Sequence, residues 1–187
     1  MAAGGELSFY LFAGAVLAGF VTPAEVLAQP SEYAIKAEFV ERFTRFIDWP
    51  DEAFAGPDAP FALCVMGDDP FGDYLDRLAR ERKIKGRTVR LLHPAKPPEL
   101  DDCHLAFIAQ SESLRIAAIV ARTQGKPILT IGDTPGFAQV GVIINFFLDR
   151  DLVRFEINLG EAKQSGLVFS AKLLKLGRVV GPPPGGP

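Results

Sequence analysis

The sequence predicts a single α/β domain whose sheet is mixed: a parallel βα part, then a C-terminal antiparallel hairpin, with helices on its flanks. Two observations carry that reading. Short apolar runs, Phe61–Met66 (FALCVM), Leu105–Ala109 (LAFIA) and Pro127–Ile131 (PILTI), alternate with segments of helical period, the pattern of strand–helix–strand units. In the last third, Val142–Phe147 and Leu152–Asn158 are extended runs separated only by Leu148-Asp149-Arg150-Asp151, which reads as a hairpin.

The elements follow in order. Ser31 is placed to cap a helix running to about Ile47, with Ile35, Phe39, Phe43 and Phe46/Ile47 on one stripe. Glu38–Arg42 and Glu41–Arg45 lie four apart on its wet side, and Trp49-Pro50 ends it. After the first strand, Asp69-Pro70 reads as N-cap and N1 of a helix with Phe71, Tyr74, Leu75, Leu78 and Ala79 inward. Thr88–Leu92 is a strand, and Ser111 caps a third helix through about Arg122. Asn158 with Glu161 resembles a capping box for a short helix ending at Gly166. Ser170 caps a last helix, Ala171–Val180, with Leu173, Leu174 and Gly177 inward.

The ends read differently. Phe9–Phe20 is an uninterrupted apolar run, followed by Val26-Leu27-Ala28 at the spacing a signal peptidase reads. It is too short to span a bilayer, which takes about 20 apolar residues. Residues 1–8 depart from the usual leader in lacking Lys and Arg and carrying Glu6. The expected division is a signal peptide over 1–28, the domain over 29–180 and a Pro/Gly tail over 181–187 that cannot form helix or strand. Cutting 28 of 187 residues leaves 159 and, because the leader holds two acids and no base, moves the net charge from −3 to −1. A nearly neutral domain has no electrostatic reason to seek nucleic acid. Fifteen Phe against three Tyr and one Trp indicate a dry core rather than an aromatic binding face.

Only two cysteines are present, Cys64 and Cys103. In an oxidising compartment a pair in one small domain more often bridges than not. Two buried thiols, or a zinc site shared with His93 and His104, are the alternatives; neither C-x2-C nor H-x3-H spacing supports the metal. G-x-S-x-G, H-E-x-x-H, P-loop and G-x-G-x-x-G motifs are all missing, so no catalytic residue, cofactor or metal is assigned. Asp68-Asp69 is better explained by capping than by catalysis. His93 before Pro94 reads as a loop residue, and His104 as a packed, hydrogen-bonded side chain.

Two polar constellations remain. Arg77–Arg87 (RLARERKIKGR) holds six cations and one acid. It is a helix end with a solvated turn, or a docking patch for an acidic partner, peptidoglycan carboxylates or anionic lipid. Alternation in the second hairpin strand puts Val153, Phe155 and Ile157 on one face and Arg154, Glu156 and Asn158 on the other. The polar face is the candidate surface for a partner or small ligand.

Six segments in order, EYAIKAEFVERFTRFIDWP (Glu32–Pro50), LCVMGDDPFG (Leu63–Gly72), CHLAFIAQSE (Cys103–Glu112), ILTIGDTPGFAQVG (Ile128–Gly141), IINFFLDRDLVRFEIN (Ile143–Asn158) and AKQSGLVFSAKLLKLGRVV (Ala162–Val180), resemble the YfiR-like periplasmic proteins. The resemblance implies a mixed α/β domain exported to the periplasm, where it represses an inner-membrane diguanylate cyclase through the periplasmic segment of that enzyme or a related sensor. A homodimer fits the same picture, since regulators of dimeric cyclases often share the two-fold. Two departures stand out. A second cysteine pair carried by some members near the hairpin is missing here, and Val140-Gly141 stands where relatives often show Gly-Gly. The alternative function is a periplasmic carrier of a small ligand or cell-wall fragment without a cyclase partner.

Export is directly testable. Intact-mass analysis of the protein made in a Gram-negative host should give a mature N-terminus near Gln29 in the periplasmic fraction. Uncleaved protein in the cytoplasm would remove the oxidising compartment from the argument.

Overall fold

The computed structural model describes Met1 and residues 31–181. Met1 aside, the expected leader lies outside the described residues, as does the expected tail beyond Gly181. The order is α1 (Glu32–Thr44), β1 (Ile47–Asp48), β2 (Phe61–Met66), α2 (Asp73–Glu81), β3 (Lys83–Ile84), β4 (Arg87–Leu92), β5 (Leu105–Ile108), α3 (Ile116–Thr123), β6 (Leu129–Gly132), β7 (Ile144–Asp149), β8 (Leu152–Asn158), α4 (Leu159–Gln164), β9 (Val168–Phe169), α5 (Ala171–Leu176) and β10 (Arg178–Val180), with 3-10 turns before β2, before β5 and before α3. The main sheet runs β10-β8-β7-β6-β5-β2-β4-β3. From β4 through β7 the neighbours are parallel; β3 and the β7–β8 hairpin add antiparallel pairs, and β10 lies parallel to β8. This is the mixed α/β sheet expected, and it is open.

All residues of β2, β5 and β6 are buried, because both sheet faces are covered. Phe61, Leu63 and Val65 point into the larger core with Phe107, Ile131, Val40 and Phe43. Cys64 and Met66 point the opposite way, into a smaller core with Leu100, Ala106, Ile119 and Phe137. α1 and α2 thus lie on one face and α3 on the other. Cys64 and Cys103 are disulfide-bonded across the smaller core, Cα atoms 6.0 Å apart. That settles the choice left open by the sequence in favour of the bridge, and against free thiols or a cysteine zinc site.

Several boundaries move, each for a local reason. α1 stops at Thr44 rather than Ile47, because Ile47 and Asp48 pair with Phe169 and Val168 in a second, two-stranded sheet. Its buried positions are Ala34, Lys36, Ala37, Val40, Glu41, Phe43 and Thr44; Ile35 is exposed and Phe39 half-buried. Asp69 does not open a helix. Its carboxylate accepts from Phe71 N–H at 2.7 Å, a turn of the Asx kind, and α2 begins at Asp73 after Gly72. Ser111 is no helix cap either; its hydroxyl accepts from Asp68 N–H at 2.9 Å, while α3 starts only at Ile116. The hairpin loop shortens to two residues, Arg150 and Asp151, both at positive φ (50° and 63°), so Leu148 and Asp149 join β7. α5 ends at Leu176, and the stretch read as its last turn is the edge strand β10.

The caps at Ser31, Asn158 and Ser170 are as expected: their side chains accept from Ala34, Glu161 and Leu173 N–H. Gly177 is inward as expected, with no room for a side chain: a Cβ there would meet Phe155 at 2.6 Å and Ile157 at 2.9 Å.

The disulfide closes a 39-residue separation, worth about 4 kcal/mol in the chain-entropy picture. Replacing Cys103 by Ser should leave a cooperative but weaker fold, its urea midpoint reduced by a loss of about 2–5 kcal/mol. An unchanged midpoint would show that the smaller core holds without its covalent clamp.

Candidate functional site

An open α/β sheet takes ligands at the carboxyl edge, where successive connections leave in opposite directions. Here that point lies between β2, which leads through α2 to β4, and β5, which leads through α3 to β6 on the other side. The crevice is filled by the chain itself. A Cβ on Gly67 (φ +93°) would meet Ser111 Oγ and, at 2.9 Å, the Glu112 side chain. Glu112 is buried there and paired to Arg115 at 2.7 Å. α2 offers no anion site at its start either, since Asp73 and Asp76 occupy its first turn.

Beside it, on the α1 side of the same edge, sits a polar cluster that the sequence reading missed. Lys36 Nζ lies 2.7 Å from Asp133, the residue after β6, and 2.5 Å from Glu32; the Lys36 and Asp133 side chains are only 4% and 6% exposed. Tyr33 donates to the same Asp133 oxygen at 2.9 Å. Burial and that hydrogen bond push the Tyr33 hydroxyl up to about 12, so it stays a donor at neutral pH. Breaking such a buried pair from one side leaves an uncompensated charge. The group fastens the start of α1 to the sheet edge. A signal was present: Lys36, Val40 and Phe43 fall at i, i+4 and i+7, so a lysine occupied the core stripe and required an internal partner.

The three strand residues chosen from sequence separate. Arg154 is exposed. Glu156 is 3% and Asn158 7% exposed; Glu156 accepts from Arg178 of β10 at 2.5 Å, and Asn158 caps α4 while donating to Ala138 C=O at 2.8 Å. Toward the C-terminal end of β8 the face expected to meet water is covered, by the Arg178 side chain of the neighbouring strand β10 and by the 133–142 loop at Ala138, while Arg154 stays exposed. Alternation holds as geometry and fails as a guide to exposure.

The basic segment also divides. Arg87 donates to the carbonyls of Gly56, Pro57 and Ala59, each at 2.8 Å, with its guanidinium 3.9 Å over the Phe54 ring; it holds the loop before β2. Lys85 pairs with Asp48 at 2.6 Å in a tight β3–β4 turn with Lys85 and Gly86 at positive φ. Arg77 stacks on Tyr74 at 4.8 Å. Arg77 and Arg82 face a groove beside α1.

His104 is packed and hydrogen-bonded, as expected. Its Nδ1 accepts from Ala62 N–H at 2.9 Å and its Nε2 donates to Ala53 C=O at 3.0 Å, with the ring stacked on Phe54 at 4.4 Å. His93 lies 3.2 Å from Asp69 on the surface. Among the described residues there is no group of three metal-ligating side chains, and no helix is long and apolar enough to cross a membrane.

A family model described as YfiR/HmsC-like matches residues 33–178, so the chain belongs to the YfiR/HmsC-like family. Members are known as periplasmic regulators of diguanylate cyclases. No curated protein sequence matches the chain. Among solved structures, the ABC domain in complex with L-Trp from Streptococcus pneumonia is similar at a TM-score of 0.52 and 11% identity, over 79% of this chain and 60% of that one. At that identity the likeness is one of fold.

Burial foremost, with Arg87 and Arg90 nearby, lowers the His104 pKa below its ordinary 6.5, although the hydrogen bond to Ala53 C=O works the other way. A base whose pKa is depressed on folding binds its proton better unfolded, so its contribution to stability is complete above about pH 6.5 and declines as pH falls toward the folded value. NMR titration should place the His104 midpoint below 6.5, with the proton of the neutral ring on Nε2. A midpoint above 6.5 would contradict the buried acceptor role of Nδ1.

Proposed function

We propose that this YfiR/HmsC-like protein is exported to the periplasm and restrains an inner-membrane diguanylate cyclase by contact with its periplasmic sensor segment, lowering cyclic di-GMP until a signal releases it. The observation that carries this is the family match over residues 33–178. A Cys64–Cys103 bridge suits an oxidising compartment. The filled crevice at Gly67, Ser111 and Glu112 favours action through an outer surface over carriage of a small ligand in a cleft. Regulation needs no nucleophile–base pair, and His104 spends both ring nitrogens on backbone groups.

Of the strand residues, Arg154 is exposed and forms no ion pair among the described residues; Glu156 holds β10 through Arg178, and Asn158 holds the start of α4 and the 133–142 loop.

Deleting the gene should raise cellular cyclic di-GMP, and Arg154→Glu should weaken partner capture while leaving stability within about 1 kcal/mol of wild type, as exposed substitutions usually do. Unchanged cyclic di-GMP after deletion under every stress tried would sink the cyclase reading and leave the ligand-carrier alternative.

A further inference from the structure

The groove beside α1 has the composition of a docking surface. Its floor is apolar: Phe39, Phe46 and Leu176 line a trough of about 530 Å³ between α1 and α5, continued between α1 and α2 by about 420 Å³. Leu176 is 64% exposed. The floor is firm, because Phe39 packs 5.8 Å from Phe43 and 6.0 Å from both Phe146 and Phe155. Over it stand Arg42, Arg77 and Arg82, and Lys172 lies 5.4 Å above the Phe46 ring. Among the described residues these arginines form no ion pair within 4.0 Å, whereas Arg45 is held by Glu41 at 2.7 Å. Glu38, Glu41 and Glu81 share the walls; Glu41 is held by Arg45, which leaves Arg42, Arg77 and Arg82 against two carboxylates, on a chain whose net charge is −3.

We infer that this groove, formed by α1 with α2 and α5, receives an amphipathic acidic segment of the partner protein, its apolar side chains on Phe39, Phe46 and Leu176 and its carboxylates on Arg42, Arg77 and Arg82. The inference rests on the contact reading above and names its surface. Charge decides the occupant. A second copy placed face to face would set arginine against arginine, which is unfavourable where water is excluded. An apolar floor under cationic walls complements a segment with the reverse arrangement. Arginine suits this role, since its fork takes a carboxylate through two parallel hydrogen bonds.

The test places a photo-crosslinking residue at Leu176 in the full chain, expressed in its own cells, with a second version carrying it at Arg154. Crosslinked peptides are then sequenced by mass spectrometry. The expected product at 176 is a cyclase peptide with carboxylates flanking large apolar residues. Arg42→Glu/Arg82→Glu, both at exposed positions, should leave the melting temperature unchanged, reduce that crosslink about ten-fold and flatten its dependence on salt. Peptides of this chain, lipid adducts, or capture from 154 alone overturn the groove. An acidic amphipathic peptide from a protein without a cyclase domain upholds the groove and overturns the cyclase reading.

Discussion

Two-sided burial of β2, β5 and β6 is the constraint on which the molecule depends. Strands with no exposed position must have a layer on each face, and the two layers here are unequal. Over one face, α1, α2 and α5 bring a thick bank of Phe and Leu. Over the other, α3 and short turns enclose a core of far fewer side chains. The disulfide belongs to the thinner side, tying β2 directly to the turn before β5. A covalent clamp adds most where apolar area is scarce, because it acts on the unfolded chain instead of drawing on local packing.

The thick side places α1 under a second demand. Its inner face meets the sheet, and its first turns are fastened by Lys36 to Asp133 in a nearly dry site. A buried pair of this kind contributes less to net stability than to register: it fixes which side of the helix faces inward. With the helix held there, Phe39 lies half-covered and Ile35 outside, so apolar surface is left beside the arginines.

That arrangement explains what the sequence could and could not show. The parallel strands, the hairpin and three caps were legible because each rests on local signals: apolar runs, tight connections, side-chain oxygens ahead of helices. The α1 stripe was legible only in part: of Ile35, Phe39, Phe43 and Phe46/Ile47, Phe43 and Ile47 are fully buried, Phe39 and Phe46 are half-buried against the core and Ile35 is exposed. Small residues, Ala34 and Ala37, occupy the close approach to the sheet, and size in a sequence does not distinguish a core from an outer groove. Glu156 and Asn158 were misplaced for a different reason. Exposure of β8 depends on β10, and Arg178-Val179-Val180 followed a helical run with no break other than Gly177. That glycine was the clue, since only a residue without Cβ fits against Phe155 and Ile157.

A sheet of this topology ordinarily offers its carboxyl-edge crevice to a ligand, and here the chain closes it. Gly67 lets the β2 turn approach Ser111 and Glu112, and Asp133 is committed to Lys36 and Tyr33. With Ser111 and Glu112 packed against the β2 turn, the surface proposed for recognition is the outside of a helical layer. The apolar side chains left on α1 and α5, beside arginines that form no ion pair among the described residues, make up that proposed surface. A regulator acting by contact gains from that placement: exposed side chains on the outside of a helix can change to suit a partner without disturbing the sheet beneath, because the core contacts belong to other residues of the same turns.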